Sequence, residues 1–237
     1  PDIIRQRQKN AEELVAIPKQ PDNGRVSFIH KWNDQSASYR YRAQIPSLLL
    51  SASMNDLSAS TLIFSKPQAE EVMDWARAKR QGSRLIMDFC DDHFEWTHYQ
   101  EALKLADVAT CPTETMAEMI RSHDPSKPVE IISDPYEFDE AAPHCEGVRL
   151  LWFGHGVNQP SLDRVLPDLQ EYPLRVVSNF PGAIPWSKEI LLHELDRADI
   201  VIMPATEPYK SANRTVEAIR RGCFVVAEPH PAIQNIP

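Results

Sequence analysis

The chain has 237 residues, 42% hydrophobic and 25% charged, with 34 acidic against 25 basic side chains and a net charge of −9. That length holds one large or two small soluble domains, and the acidic balance argues against a nucleic-acid or anionic-membrane surface. No run approaches the roughly 20 apolar residues of a membrane span, and no signal-peptide pattern is present.

In chain order, residues 1–23 are polar and read as an N-terminal extension with a short amphipathic helix or a linker. Strands and helices then alternate. Val26–Ile29 predicts a strand, Ser36–Arg42 a loop and Ile45–Leu50 part of a helix. Thr61–Phe64 is a strand, and Pro67 opens a helix through Arg80. Leu85–Phe89 is a strand, Tyr99–Ala106 a helix, Asp107–Thr110 a strand, Thr113–Arg121 a helix and Val129–Ile132 a strand. Short apolar strands separated by helices of 10–15 residues indicate a parallel, helix-covered sheet.

The Pro-rich stretch 134–147 marks a boundary, giving domains 24–140 and 141–237. A second series follows: Val148–Phe153, a helix around Leu162–Leu169, Leu174–Val177, a helix Lys188–Ala198, Ile200–Met203, a helix ending at Gly222, and Phe224–Ala227. The fold class is therefore α/β with two Rossmann-like units. The four cysteines, Cys90, Cys111, Cys145 and Cys223, lie far apart without metal-ligand spacing. They read as free thiols of a reducing cytosol, so a cytoplasmic protein is expected.

Residues 199–228 carry the densest chemical signal. An apolar strand runs into a polar loop, and the loop opens a helix near Ser211–Arg214. Such a junction offers free backbone N–H groups and a positive dipole end, which suits a phosphate. Lys210 and Arg214 add full charges where the helix dipole alone would repel them, so an anion is expected beside them. Ser211 and Asn213 add polar groups, and Glu217 could accept hydrogen bonds from a ribose diol. Val216 and Ile219 are expected on the core face of this helix, leaving Glu217 off it.

The run Lys-Ser-Ala-Asn-Arg-x-x-Glu-Ala-x-x-x-Gly-x-x-Val-Val resembles the donor-binding segment of GT-B glycosyltransferases, in particular the retaining family 4 type. The resemblance implies a nucleotide-sugar cleft between the two domains and a C-terminal part that continues beyond this sequence. It also implies transfer of a sugar from a nucleotide diphosphate donor, a UDP- or GDP-sugar, to a hydroxyl acceptor, with retention at the anomeric carbon. Family members commonly carry two glutamates eight positions apart; Glu217 matches the second, while Tyr209 stands where the first would be and Glu207 is displaced by two. By the same likeness Lys210, Ser211, Asn213 and Arg214 hold the donor, with Lys210 stabilising the leaving diphosphate. The loop Gly154-His155-Gly156 matches a phosphate-contacting segment in which His155 replaces the usual arginine. Its two glycines permit close approach of backbone to ligand.

Asp88-Phe-Cys-Asp91-Asp92-His93 ends a strand of the first domain. Asp91, Asp92 or His93 could serve as base for the acceptor hydroxyl. Asp88, Asp91 and Asp92 could instead bind Mn or Mg, although the resemblance implies that no cofactor is required, and a helix N-cap is the plainer reading. Arg40 and Arg42 could meet an anionic acceptor or the phosphates. Trp186 and Asn179 could border the base. Two further functions fit these residues: a non-catalytic nucleotide-sugar-binding module, and a GT-B sugar-nucleotide epimerase. No nucleic-acid partner is expected.

Overall fold

A computed structural model describes residues 24–31, 36–144 and 146–234. The expected extension 1–23 lies outside them, as does Cys145. The chain divides into two compact units after Pro135.

The first unit is a six-stranded, wholly parallel sheet. Its strands are β1 (Val26–Ile29), β2 (Ser53–Met54), β3 (Thr61–Ser65), β4 (Arg84–Asp88), β5 (Val108–Cys111) and β6 (Val129–Ile131), in the order β2-β1-β3-β4-β5-β6. The chain steps outward from β1 to β2, then returns to the other side of β1 with β3. The crevice at the C-terminal ends of β1 and β3 is thus the topological switch point, where open α/β sheets bind ligands.

The longer helices of this unit are amphipathic, and only the last of them starts on a side-chain cap. Helix α1 comprises Ala37–Tyr39, a π-helical turn Arg40–Gln44 and Ile45–Leu49. The stretch expected as the loop Ser36–Arg42 is therefore largely helical. Helix α2 (Glu70–Lys79) buries Val72, Met73 and Ala76 on one face, with Glu70 and Glu71 in its first turn to complement the dipole. Helix α3 spans Thr97–Leu105. Helix α4 (Glu114–His123) starts where Thr113 accepts from the Met116 amide at 3.2 Å.

The second unit has β7 (Leu150–Phe153), β8 (Leu174–Ser178), β9 (Ile184–Pro185), β10 (Ile200–Met203) and β11 (Phe224–Ala227), parallel and ordered β11-β10-β7-β8-β9. Its switch point lies between β7 and β10. Every residue of β7 is buried, which explains its unbroken apolar run Leu-Leu-Trp-Phe. Its helices are α5 (Gln159–Val165), α6 (Lys188–Leu195) and α7 (Asn213–Arg220). Ser187 caps α6 through the Ile190 amide at 3.1 Å.

Phe138 joins the core of this unit with Leu151, Phe153, Val177 and Leu195. Burying that one ring stabilises by about 1.5–3 kcal/mol. Residues 136–140, on the near side of the boundary read from the sequence, thereby pack on the second unit. No helix of the described residues is long and apolar enough to cross a membrane.

Candidate functional site

The loop after β10 runs from Pro204 to Ala212 and opens α7. Ala212 occupies the N-cap position and supplies no side-chain cap. Arg214 lies in the first turn and reaches back to the neighbouring strand, where its Nη1 donates to the Phe153 carbonyl at 3.0 Å. The guanidinium thus sits at the β7–β10 switch point. Burial alone lowers its pKa to about 10, so it is still a cation at neutral pH. No carboxylate pairs with this side chain among the described residues. A desolvated cation at the positive end of a helix is costly by itself, and an anion would relieve both penalties.

An open cleft adjoins it, lined by Ser211, Arg214, Thr215, Thr206, Glu228 and His230 among others. Two side chains from beyond β11 fix the loop in place. Glu228 accepts from the Ala205 amide at 2.7 Å and forms a bidentate pair with Arg164 at 2.5 and 2.6 Å. His230, buried, bonds through Nε2 to the Glu207 carbonyl at 3.0 Å, while its Nδ1 accepts from the Ala232 amide at 3.2 Å. Both contacts suit one neutral tautomer carrying its proton on Nε2. Neither residue stands out in the sequence, because loop-fixing contacts between distant segments leave no local pattern.

Lys210 lies on the same loop, its Nζ 5.2 Å from the Tyr209 ring centre and its amide donating to Glu207 at 3.0 Å. Asn213 Oδ1 accepts from the Arg214 amide at 2.7 Å. Lys210, Ser211, Asn213 and Arg214 are therefore brought to one loop–helix junction, as their spacing suggests.

The two glycines have a different use from the one expected. A Cβ on Gly154 would stand 2.9 Å from Arg214 Nη1 and 3.1 Å from the Trp152 ring. A Cβ on Gly156 would stand 3.1 Å from Asn179 Oδ1. The close approaches are thus made by the chain's own side chains. Asn179 accepts from the Gly156 amide at 2.7 Å and reaches the exposed His155 at 2.9 Å, ordering the turn after β7. Trp186 is partly buried against the core.

Glu217 is placed otherwise than the helical pattern suggests. It is 2% exposed, whereas Ile219, expected on the core face, is 47% exposed. Its carboxylate accepts from the amides of Glu137 at 2.5 Å and Phe138 at 3.3 Å. The glutamate anchors the segment entering the unit. Periodicity treats a carboxylate as a surface group, and no local signal shows that two distant amides will satisfy it.

In the first unit, Arg42 and Asp88 turn inward. Arg42, 6% exposed, forms a bidentate pair with Asp88, donates to the Ile132 carbonyl at 2.5 Å and pairs with Asp134 at 3.0 Å. Thr110 also donates to Asp88, at 2.7 Å. Burial by itself would lower the Arg42 pKa, but Asp88 and then Asp134 raise it well above its usual value. This network ties α1 to β4 and to the segment after β6. Arg40 is buried too. Neither arginine stands as the open anion contact expected of it.

The metal set expected of Asp88, Asp91 and Asp92 does not assemble. Asp88 belongs to Arg42, and Asp91 pairs with Lys66 at 2.6 Å. Among the described residues no three His, Cys, Asp or Glu side chains converge as a metal requires.

Lys66 was not singled out by the sequence. It follows β3 at φ 52°, in the left-handed region, a conformation that costs a non-glycine residue on the order of 1–3 kcal/mol. Its amide donates to the Asp88 carbonyl at 2.9 Å, locking that turn. Tyr99 Oη holds the Asp91 carbonyl at 2.7 Å. His93 then stacks on Trp96, centroids 4.2 Å apart and planes 4° apart, and meets Tyr99 edge-on at 5.6 Å. Burial first, and the Lys66 charge second, lower its pKa below 6.5. Neither ring nitrogen makes a hydrogen bond among the described residues; Glu95 stands 3.9 Å from Nδ1. The result is a half-buried imidazole, neutral at pH 7, on the C-terminal rim of the sheet.

No protein-family model matches the chain, and no curated protein does. Among solved structures, a crystal structure of an alpha1,3-fucosyltransferase aligns with TM-score 0.50 at 10% identity, over 93% of this chain and 74% of that one. The fold is GT-B. At that identity the likeness speaks for the fold alone. An alpha1,3-fucosyltransferase with GDP aligns at TM-score 0.46 and 9% identity, over 94% and 74%.

Proposed function

We propose that this GT-B chain is a glycosyltransferase that uses a nucleoside-diphosphate sugar, with the diphosphate held in the second unit. The observation that carries the reading is Arg214, a desolvated cation with no carboxylate partner among the described residues, at the β7–β10 switch point. As the bond from the sugar to the diphosphate breaks, negative charge grows on the leaving oxygen. Arg214, Lys210 and the amides opening α7 supply positive potential there. Ser211, Asn213 and His155 border the same strand ends as polar contacts. These cations meet the leaving-group charge, so the reading expects activity to survive chelation.

The first unit supplies the base that such a transfer uses. The His93 imidazole has its pKa lowered below 6.5 and makes no hydrogen bond among the described residues, and Asp91 is already committed to Lys66. A base of this kind supports direct displacement with inversion. Retention, implied by the family 4 likeness, lacks its first glutamate here: Tyr209 occupies that position, and the exposed Glu207 uses its carbonyl on His230.

The test is isothermal titration with UDP-, GDP-, ADP- and dTDP-sugars and their diphosphates, with Mn and with chelator, beside turnover and product anomer by NMR. One diphosphate should bind, and Arg214→Gln should weaken it tenfold or more, the weight of a charge-assisted hydrogen bond. Binding without release of diphosphate would favour a non-catalytic module. No binding of any nucleotide would end the reading.

A further inference from the structure

The rim that carries His93 also describes the chemistry of its acceptor. We infer that the acceptor is a neutral carbohydrate whose ring stacks on Trp96, an assignment that rests on the transferase reading above. Trp96 precedes α3 and is 39% exposed, among the large apolar side chains left open on the unit. One indole face lies flat against His93 at 4.2 Å. The His98 ring also lies 5.5 Å from it, tilted by 34°. The indole is thereby held between two imidazoles next to the base, and its exposed part offers C–H groups of a pyranose an apolar surface at little ordering cost on binding.

Charge decides against an anionic acceptor. Lys66 is neutralised by Asp91 at 2.6 Å. Arg40 and Arg42 are buried. Among the described residues no lysine or arginine stands within salt-bridge distance of Asp92 or Glu95, which flank His93; Glu95 meets only that imidazole, at 3.9 Å. Asp92 spends one oxygen weakly on the Phe94 amide at 3.4 Å. A phosphate or carboxylate on the acceptor would meet uncompensated negative charge, whereas hydroxyls would find acceptors in Asp92 and Glu95. An aromatic face, carboxylate acceptors and a neutral base together fit a polyhydroxylated ring.

The experiment uses the full chain on a printed array of neutral and anionic glycans, with a long-chain alkyl phosphate as an anionic non-sugar probe. Trp96→Ala and Trp96→Phe are compared, and nucleoside-diphosphate affinity is measured on each. The expected result is preference for neutral glycans, at least tenfold weaker binding in Trp96→Ala, partial recovery in Trp96→Phe, and unchanged nucleotide affinity. Equal glycan binding by Trp96→Ala, preference for the anionic probes, or no glycan binding at all would overturn the inference. Retained nucleotide binding in those cases would leave the transferase reading standing, and absence of nucleotide binding by the parent chain would remove both.

Discussion

Glu217→Gln separates a carboxylate that holds the fold from one that holds a ribose. The side chain is buried and accepts from the Glu137 and Phe138 amides. A glutamine is nearly isosteric but keeps one acceptor oxygen, so one amide must face an NH2 group. Losing one charge-assisted bond and reducing the other to a neutral one costs about 3 kcal/mol. Phe138, a core member, is tethered by the same contact. In a unit of about 100 residues that cost lowers Tm by about 12–24 °C. Differential scanning calorimetry would read it, with nucleotide titration at a temperature where both proteins are folded. The anchoring argument expects a large Tm drop with affinity changed only modestly. A variant melting within 2 °C of the parent while losing tenfold or more in nucleotide affinity would refute it.

Three further outcomes follow from named contacts. Gly154→Ala places a Cβ 2.9 Å from Arg214 Nη1 and 3.1 Å from the buried Trp152 ring; the guanidinium, a flexible end, gives way, so nucleotide affinity should fall about tenfold in titration, and crowding of the indole should lower Tm as well. His93 must be neutral to act as base, and its pKa lies below 6.5; kcat/KM should therefore rise with pH and level off before neutrality, and His93→Gln should abolish the rise. Asp199, buried against Arg149 at 2.8 Å, has its pKa held well below 3.8, chiefly by hydrogen bonds from that arginine. Its contribution is complete above the ordinary value and is lost as pH falls below about 4, so urea midpoints of the second unit should drop there, with a shallower slope in Asp199→Asn.

Strand and helix placement was legible because nearly every strand is a short apolar run and the helices α2, α4 and α6 carry their start signals in sequence. The loop–helix junction at Lys210–Arg214 was legible for the same local reason. What escaped were satisfactions made at a distance. Helix α1 hides in Ser36–Arg42 because its two arginines look solvated, and only Asp88, 46 residues away, turns Arg42 inward. Glu217 is satisfied by amides about 80 residues back. Lys66 reveals nothing until its left-handed backbone and its partner Asp91 are seen together. The strands β2 and β9 have two residues each, too short for periodicity to register.

The treatment of arginines across the fold bears on why Arg214 reads as functional. Arg42 meets Asp88 and Asp134, Arg149 meets Asp199, Arg164 meets Glu228, Arg175 meets Glu194 and Arg221 meets Asp196. Several of these arginines are largely exposed, where a partner adds little stability. The chain has nine more acidic than basic side chains, so carboxylates are not scarce. Arg214 is nevertheless desolvated, placed at the helix end that disfavours cations, and among the described residues given a carbonyl oxygen instead of a carboxylate. Glu228, which lines the same cleft, is turned to Arg164 and the Ala205 amide. A carboxylate on Arg214 would stabilise the empty protein and compete with any anionic ligand. Withholding it leaves the cation's electrostatic deficit to be relieved only on binding, so that a diphosphate would gain there what the folded chain by itself forgoes.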